Sequence, residues 1–407
     1  MDIFSPEHYR ATRLPLHKAS PLPGWCYTSP EWHQREIETL FRRDWLCVGR
    51  AEQIPNTGEF FSIEVIGQPL IVVRDEQKQV RVHSAICRHR GAIIAQGQKG
   101  KCPGFTCPYH SWTYSLSGKL ISTPGHPPPM AGAEGFNPSE YGLHSVRSDT
   151  WGGFIFVTFN EQAPPLKQWL GDLPEFLAAY KLEDFQWTNR DEYVVDCNWK
   201  VWLENAFENY HAMTIHRKHM DPKNPQNWEF ERTRGPWEAM YSKRSIVAYS
   251  GLPPIPGLDE RKGGGLFHIW IQPSVQVIVT SSYMKFRQYL PEGPEKLRLY
   301  ENWTFPRSTV LLGNAQFSYR RSFSGPSGRY WRNFMYDDVR MICTEGCTQM
   351  WNNPDAWRSS RPGIGGRPEY ATMLRLLYIA SHGPCVRSNC QFCGFTGSMC
   401  LRWIVMA

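Results

Sequence analysis

The sequence predicts an α+β protein of two domains: a small all-β domain, then a larger one in which helices cover an antiparallel sheet. Three observations carry that prediction. From Trp45 to about Thr123, β-rich runs alternate with turns. Next, Trp169–Tyr180 and Trp199 to about Lys218 read as helices. Beyond Trp228, strands and turns alternate again to about Arg320, as in His268–Ile271 and Val275–Val279.

Within the first domain, Phe60–Ile66 and Pro69–Arg74 are strand-like runs separated by Gly67-Gln68, which reads as a hairpin pair. Val80–His83 and Phe105–Tyr114 continue the pattern. Residues 1–41 form an N-terminal helical segment expected to pack on the larger domain. Its helix starts at Ser29, followed by Pro30 at the first helical position and Glu31 in the first turn. The β domain is expected over 42–150, with Gly125–Pro129 as a rigid linker-like stretch. The larger domain is expected over 151–407, opening with a strand at Gly153–Phe159 and ending in an atypical tail at 343–407.

A chain of 407 residues, 41% apolar and 14% aromatic, suits two domains with a sizeable core. The net charge of +7 is modest and dispersed, with no basic, aromatic-laced run for nucleic acid. Arg42, Arg43, Arg217 and Lys218 offer a mildly basic face for an acidic redox protein. Met1–Arg10 lacks a signal pattern, and no apolar run approaches the roughly 20 residues of a membrane span. The expectation is a cytoplasmic protein with no membrane segment. In a reducing compartment the twelve cysteines point to metal ligation rather than disulfides.

Spacing supports that reading. Cys87-Arg-His89-Arg-Gly91 and Cys107-Pro-Tyr-His110-Ser-Trp112 each offer one thiol and one imidazole, with seventeen residues between His89 and Cys107. Zinc could take all four in one tetrahedron, but zinc fingers pair Cys with Cys and His with His along the chain. A [2Fe–2S] cluster that gives both thiolates to one iron and both imidazoles to the other is served by two mixed loops. Trp112 is placed to shield such a cluster, and Cys102 is a spare thiol between the loops.

About a hundred residues on, Glu204, Glu208 and His211 fall at i, i+4 and i+7 of the predicted helix and share a face. His211 and His216 are five apart, so a local widening of the helix lets both imidazoles reach one metal. Two His and one carboxylate are the ligands of non-haem Fe(II) oxygenases.

From about residue 30 to 340 the chain resembles the α subunits of Rieske-type ring-hydroxylating oxygenases. Its segment Asn198-Trp-Lys…Glu204-Asn205…Glu208…His211…His216 is nearest the choline, carnitine and betaine oxygenase branch. The resemblance implies a helix-grip-like catalytic domain carrying a mononuclear iron bound by His211 and His216. It also implies that Glu208, with Asn205 beside it, links His110 of a neighbouring subunit to His211. The cluster and iron of one subunit lie far apart in such a fold, and a head-to-tail homotrimer brings them together. Electrons would come from NAD(P)H through a ferredoxin or a flavin/iron–sulfur reductase.

Asp338 matches the family's third iron ligand, with Asp337 as the fallback. The intervals that follow are not the usual ones. The resemblance fades after about Ile342, where Cys343, Cys347, Cys385, Cys390, Cys393 and Cys400 cluster; Cys390 and Cys393 alone would be half a zinc site. The expected function is a terminal mono- or dioxygenase that hydroxylates or oxidatively demethylates a small organic substrate. Trp202, Trp237, Trp270 and Tyr283 are candidates for caging a quaternary ammonium by cation–π contact. An aromatic substrate, or a non-catalytic Rieske electron carrier, is the alternative.

Overall fold

The computed structural model describes residues 1–311 apart from 16–17, 96, 98, 125–133, 208–227, 232 and 244–251. It divides into two compact units, Phe41–Gln168 and Met1–Leu40 together with the chain from Trp169 onward. The expected linker Gly125–Pro129 lies outside the described residues.

The first unit is all-β and antiparallel. Its strands are β1 (Leu46–Arg50), β2 (Glu59–Val65), β3 (Gln68–Arg74), β4 (Val80–Ser84), β5 (Lys99–Lys101), β6 (Phe105–Thr106), β7 (Thr113–Tyr114), β8 (Leu120–Ser122), β9 (Arg147–Trp151) and β10 (Phe154–Thr158). They form three sheets in the orders β4-β3-β2-β5, β6-β7-β8 and β1-β10-β9. Pairing of β10 with both β1 and β9 ties residues 147–158 to the start of the unit. The β2–β3 turn is Ile66-Gly67, one residue earlier than the sequence suggests. Both have positive φ (47° and 74°), the backbone of the tight hairpin turn, and Gln68 already pairs with Val65.

In the second unit, β11 (Phe185–Val195), β12 (Trp228–Phe230), β13 (Trp237–Lys243), β14 (Gly265–Ile271), β15 (Val275–Thr280), β16 (Met284–Gly293) and β17 (Lys296–Pro306) make one antiparallel sheet. Its order is β11-β17-β16-β15-β14-β13-β12, a meander closed at one edge by β11. Strand β15 is buried along its whole length, which explains its nearly unbroken apolar sequence. The helices of this unit are short. They include α1 (Trp25–Thr28), α2 (Pro30–Glu36), α4 (Leu173–Leu177) and α5 (Trp199–Ala206); α3 (Leu166–Trp169) ends where the unit resumes.

The single helix expected over Trp169–Tyr180 is broken. Gly171 separates α3 from α4 at φ +62°, and a Cβ there would lie 1.5 Å from the Arg234 carbonyl oxygen. Only glycine permits that approach. Phe176 of α4 then packs on Trp237 and Phe267, on one face of the sheet. Helix α5 packs on the other face, where Trp199 and Phe207 meet Trp270.

The start of α5 is fixed by two residues read only as motif letters. Asn198 is its N-cap: Oδ1 accepts from the Lys200 amide (3.0 Å), while Nδ2 donates to the carbonyls of Tyr27 (2.9 Å) and Pro294 (2.6 Å). Lys200 forms a buried ion pair with Glu36 at the end of α2, 2.6 Å apart. The same carboxylate accepts from the indole N–H groups of Trp32 (2.9 Å) and Trp199 (3.0 Å). Helix α2 begins as expected, with Ser29 Oγ accepting from the Trp32 amide.

Removing one partner of such a pair leaves a buried charge uncompensated. Lys200→Met is therefore expected to cost roughly 3–5 kcal/mol in a urea titration, with the loss reduced when Glu36→Gln is added.

Candidate functional site

Two loops of nearly the same shape present the four Cys and His candidates. In the first, the Cys87 amide donates to the Ala92 carbonyl (2.9 Å) and the Gly91 amide returns to the Cys87 carbonyl (3.1 Å). In the second, the Cys107 amide donates to the Trp112 carbonyl (2.8 Å) and the Ser111 amide returns to the Cys107 carbonyl (3.0 Å). The residue making the return bond is left-handed in both, Gly91 at φ 76° and Ser111 at φ 57°. The loops thus repeat each other, each starting at a cysteine and closing five residues later. Glycine was legible at the first closure; serine concealed the second.

Depth separates the two ligand types. Cys87 and Cys107 belong to the unit's hydrophobic core, at 3% and 1% exposure. His89 is exposed and His110 half-exposed, with ring centroids 4.6 Å apart. Trp112 stacks on His89 at 4.9 Å and 13°. The Tyr114 hydroxyl lies 3.3 Å from the Cys87 sulfur and accepts from the Arg88 amide at 3.1 Å. Cys102 is half-buried.

These residues fit a two-iron cluster. His110 Nδ1 is buried with no hydrogen-bond partner, the condition of a nitrogen reserved for a metal. Loss of water, then the electrostatic influence of the neighbouring His110 and Arg90, holds His89 below the usual histidine range, favouring the neutral ring that a metal needs. Among the described residues no three His, Cys, Asp or Glu side chains close on a point for one ion. A [2Fe–2S] cluster takes its ligands as a thiolate pair and an imidazole pair, the division made here by the buried cysteines and the neighbouring imidazole rings.

Of the second constellation, Glu208, His211, His216, Asp337 and Asp338 lie outside the described residues. Asn205 sits in the last turn of α5, half-buried. Its neighbour Glu204 accepts from the Tyr27 hydroxyl (2.9 Å), and burial pushes its carboxyl up to about 7 against that bond.

The sheet face beneath α5 carries a row of side chains in which Trp270 is flanked by polar residues that sequence reading passed over. Glu238, Trp270, Gln276, Arg287 and Glu301 stand directly opposite one another on successive strands, so they share a face. Gln276 Oε1 accepts from the Tyr289 hydroxyl (2.8 Å) and from Arg287 (3.3 Å). Glu301 pairs with Arg287 (2.6 Å) and Lys285 (3.3 Å), and these cations hold it below the ordinary carboxylate range despite its burial.

The four aromatics proposed as one cage do not converge. Trp237 leaves β13 on the opposite face, where its indole donates to Asp172 (2.9 Å). Tyr283 belongs to a separate cluster with Trp303 and Phe305. Trp270 remains beneath α5 with Tyr289, 5.0 Å between ring centroids. Parity on neighbouring strands decides this, and sequence alone did not give the register.

Two family descriptions match the chain. The Rieske [2Fe-2S] domain covers residues 44–145 and the ring-hydroxylating α-subunit catalytic domain covers 182–364. The chain thus carries, in one sequence, the two domains that these descriptions name. The second of these describes a catalytic domain, which a bare electron carrier does not need.

Among curated relatives of this chain, the glycine betaine monooxygenase oxygenase subunit of Chromohalobacter salexigens is 33% identical over 48% of this chain and 43% of its own length. The chloroplastic choline monooxygenase of Arabidopsis thaliana is 28% identical over 70% of this chain and 68% of its own length. The match to the former therefore spans less than half of that relative. A solved quaternary ammonium Rieske monooxygenase, described for carnitine oxidation and inter-subunit electron transfer, shares the fold. Its TM-score is 0.67 at 20% identity, covering 90% of this chain and 96% of that one. Among the described residues no helix is long and apolar enough to cross a membrane.

Hydrogen bonds to cluster sulfurs tune the reduction potential. Tyr114→Phe removes one from Cys87 and is expected to lower the midpoint by on the order of tens of millivolts, read by a spectroscopic redox titration of the iron-loaded protein.

Proposed function

We propose that this chain is the terminal oxygenase of a multicomponent system. It uses O2 and NAD(P)H-derived electrons from a separate ferredoxin or flavin/iron–sulfur reductase to hydroxylate or oxidatively demethylate a small quaternary amine. The observation that carries this reading is the presence of both domains in one chain whose relatives are named for glycine betaine and choline.

Cys87 and Cys107 are assigned to one iron of the cluster, and His89 and His110 to the other. His211, His216 and Asp338, or Asp337 in its place, are assigned to the mononuclear iron. When bound, the cluster supplies single electrons and the mononuclear iron activates O2.

The protein's own part is placement. Burial of both cysteines and exposure of both histidines turn the imidazole edge outward, the side from which a partner is reached. A head-to-tail homotrimer would bring His110 of one subunit to Glu208 of the next. The inter-subunit electron transfer described for the carnitine-oxidising relative supports that arrangement. There Glu208 would accept from imidazole N–H groups on both sides and orient both rings, with Asn205 three residues before it in the sequence. Glu36, Lys200 and Asn198 hold the helix that leads into this segment, and Trp270 and Tyr289 line the sheet beneath it. The reaction is assigned to the cytoplasm.

The test is consumption of O2 and NADH by purified protein with a compatible reductase. Glycine betaine, choline or carnitine is expected to stimulate it, and no stimulation by any quaternary amine would refute the substrate class. Glu208→Gln should retain its iron and its red-brown colour yet lose turnover by at least about 100-fold. Full activity in that variant would rule out the Glu208 route.

A further inference from the structure

Three glutamates among the described residues of the catalytic unit are buried: Glu36, Glu238 and Glu301. Two are answered within the fold, Glu36 by Lys200 and two indole N–H groups, Glu301 by Arg287 and Lys285. Glu238 differs. It is 7% exposed, its Oε1 has no hydrogen-bond partner, and loss of water alone pushes its carboxyl up to about 8. An unanswered buried carboxylate is unfavourable for the fold, and none of the described residues supplies its countercharge, which leaves that part to a bound cation.

Its surroundings say what kind. Trp270 stands directly across from Glu238 on β14, so both side chains leave the sheet on the same face. Trp270 is also the ring that Trp199 and Phe207 of the α5 segment pack against. That segment leads directly to Glu208, His211 and His216 in the sequence. An aromatic face and a carboxylate side by side suit a cation. A trimethylammonium head has no N–H to donate, so it asks of the carboxylate only its charge, and of the indole only its π face. A primary ammonium would need several acceptors about it.

We propose that Glu238 and Trp270 form the cation subsite of the substrate pocket, Glu238 as counter-ion and Trp270 as cation–π surface for a quaternary ammonium. The assignment rests on the substrate class proposed above and names the residues that select it. Of the four aromatics put forward from sequence it retains Trp270, and it adds a carboxylate.

The experiment is calorimetric binding to the iron-loaded, full-length protein. Choline, glycine betaine and γ-butyrobetaine are each paired with the analogue in which an uncharged carbon replaces the quaternary nitrogen, 3,3-dimethylbutan-1-ol in the case of choline. Glu238→Gln is expected to weaken the best-bound ammonium compound by about 10- to 100-fold and its carbon partner by less than about twofold. Glu238→Asp, which keeps the charge, should recover part of the loss. Unchanged ammonium affinity, or equal loss for both partners, overturns the assignment.

Thermal melting without ligand separates a binding role from a structural one. A carboxyl raised above its unfolded value contributes stability that is lost as pH rises towards about 8. At pH 8, Glu238→Gln should therefore melt no lower than the wild type, and a lower Tm would assign the carboxylate to the fold instead. If wild-type protein oxidises a quaternary amine while Glu238→Gln binds it normally, this inference alone fails. If wild-type protein neither binds nor oxidises any of the three, the proposed substrate class falls with it.

Discussion

Much of the catalytic unit depends on where α5 begins, and one carboxylate determines that. Glu36 brings Lys200, Trp199 and Trp32 to a single buried point, and Asn198 fixes the first turn beside it. A buried ion pair adds little net stability over an apolar contact, but its geometry admits few alternatives. That rigidity sets the register of α5 on the sheet. It bears on the chemistry because the candidate iron-binding segment follows α5 directly in the sequence.

The metal loops follow a different principle. The candidate ligands there are local, so spacing announced them: one Cys and one His in each loop, carried on short hairpins. The duplicated closure was not announced, because Gly91 displays its left-handed backbone in the sequence and Ser111 does not. Depth was only partly legible. Cysteine is usually buried, yet nothing in the letters placed the thiols in the core and the imidazoles at the rim.

What sequence reading missed was mostly long-range. Glu36 and Lys200 are 164 residues apart, and no local pattern links them. The Ile66-Gly67 turn differs from the expected pair by one residue, since turn position follows strand register. Gly171 broke a helix through its approach to Arg234, a contact made only once the fold exists. Trp237 and Trp270 looked equivalent as candidates, but strand parity put them on opposite sides of one sheet. Glu238 drew no attention as an ordinary strand acid, and only its unmet burial singles it out.

Residues 1–40 belong with the chain from Trp169 onward, so the cluster-bearing unit is inserted into the catalytic one. During synthesis this orders events in time. The segment bearing Glu36 leaves the ribosome first, and its partner Lys200 follows some 160 residues later, a delay of roughly ten to thirty seconds at ordinary elongation rates. The intervening β unit has time to collapse on its own hairpins while the first forty residues wait with their aromatic side chains uncovered. A segment made well before its partner is therefore among the last to find its place, and that interval is when a chaperone would matter most.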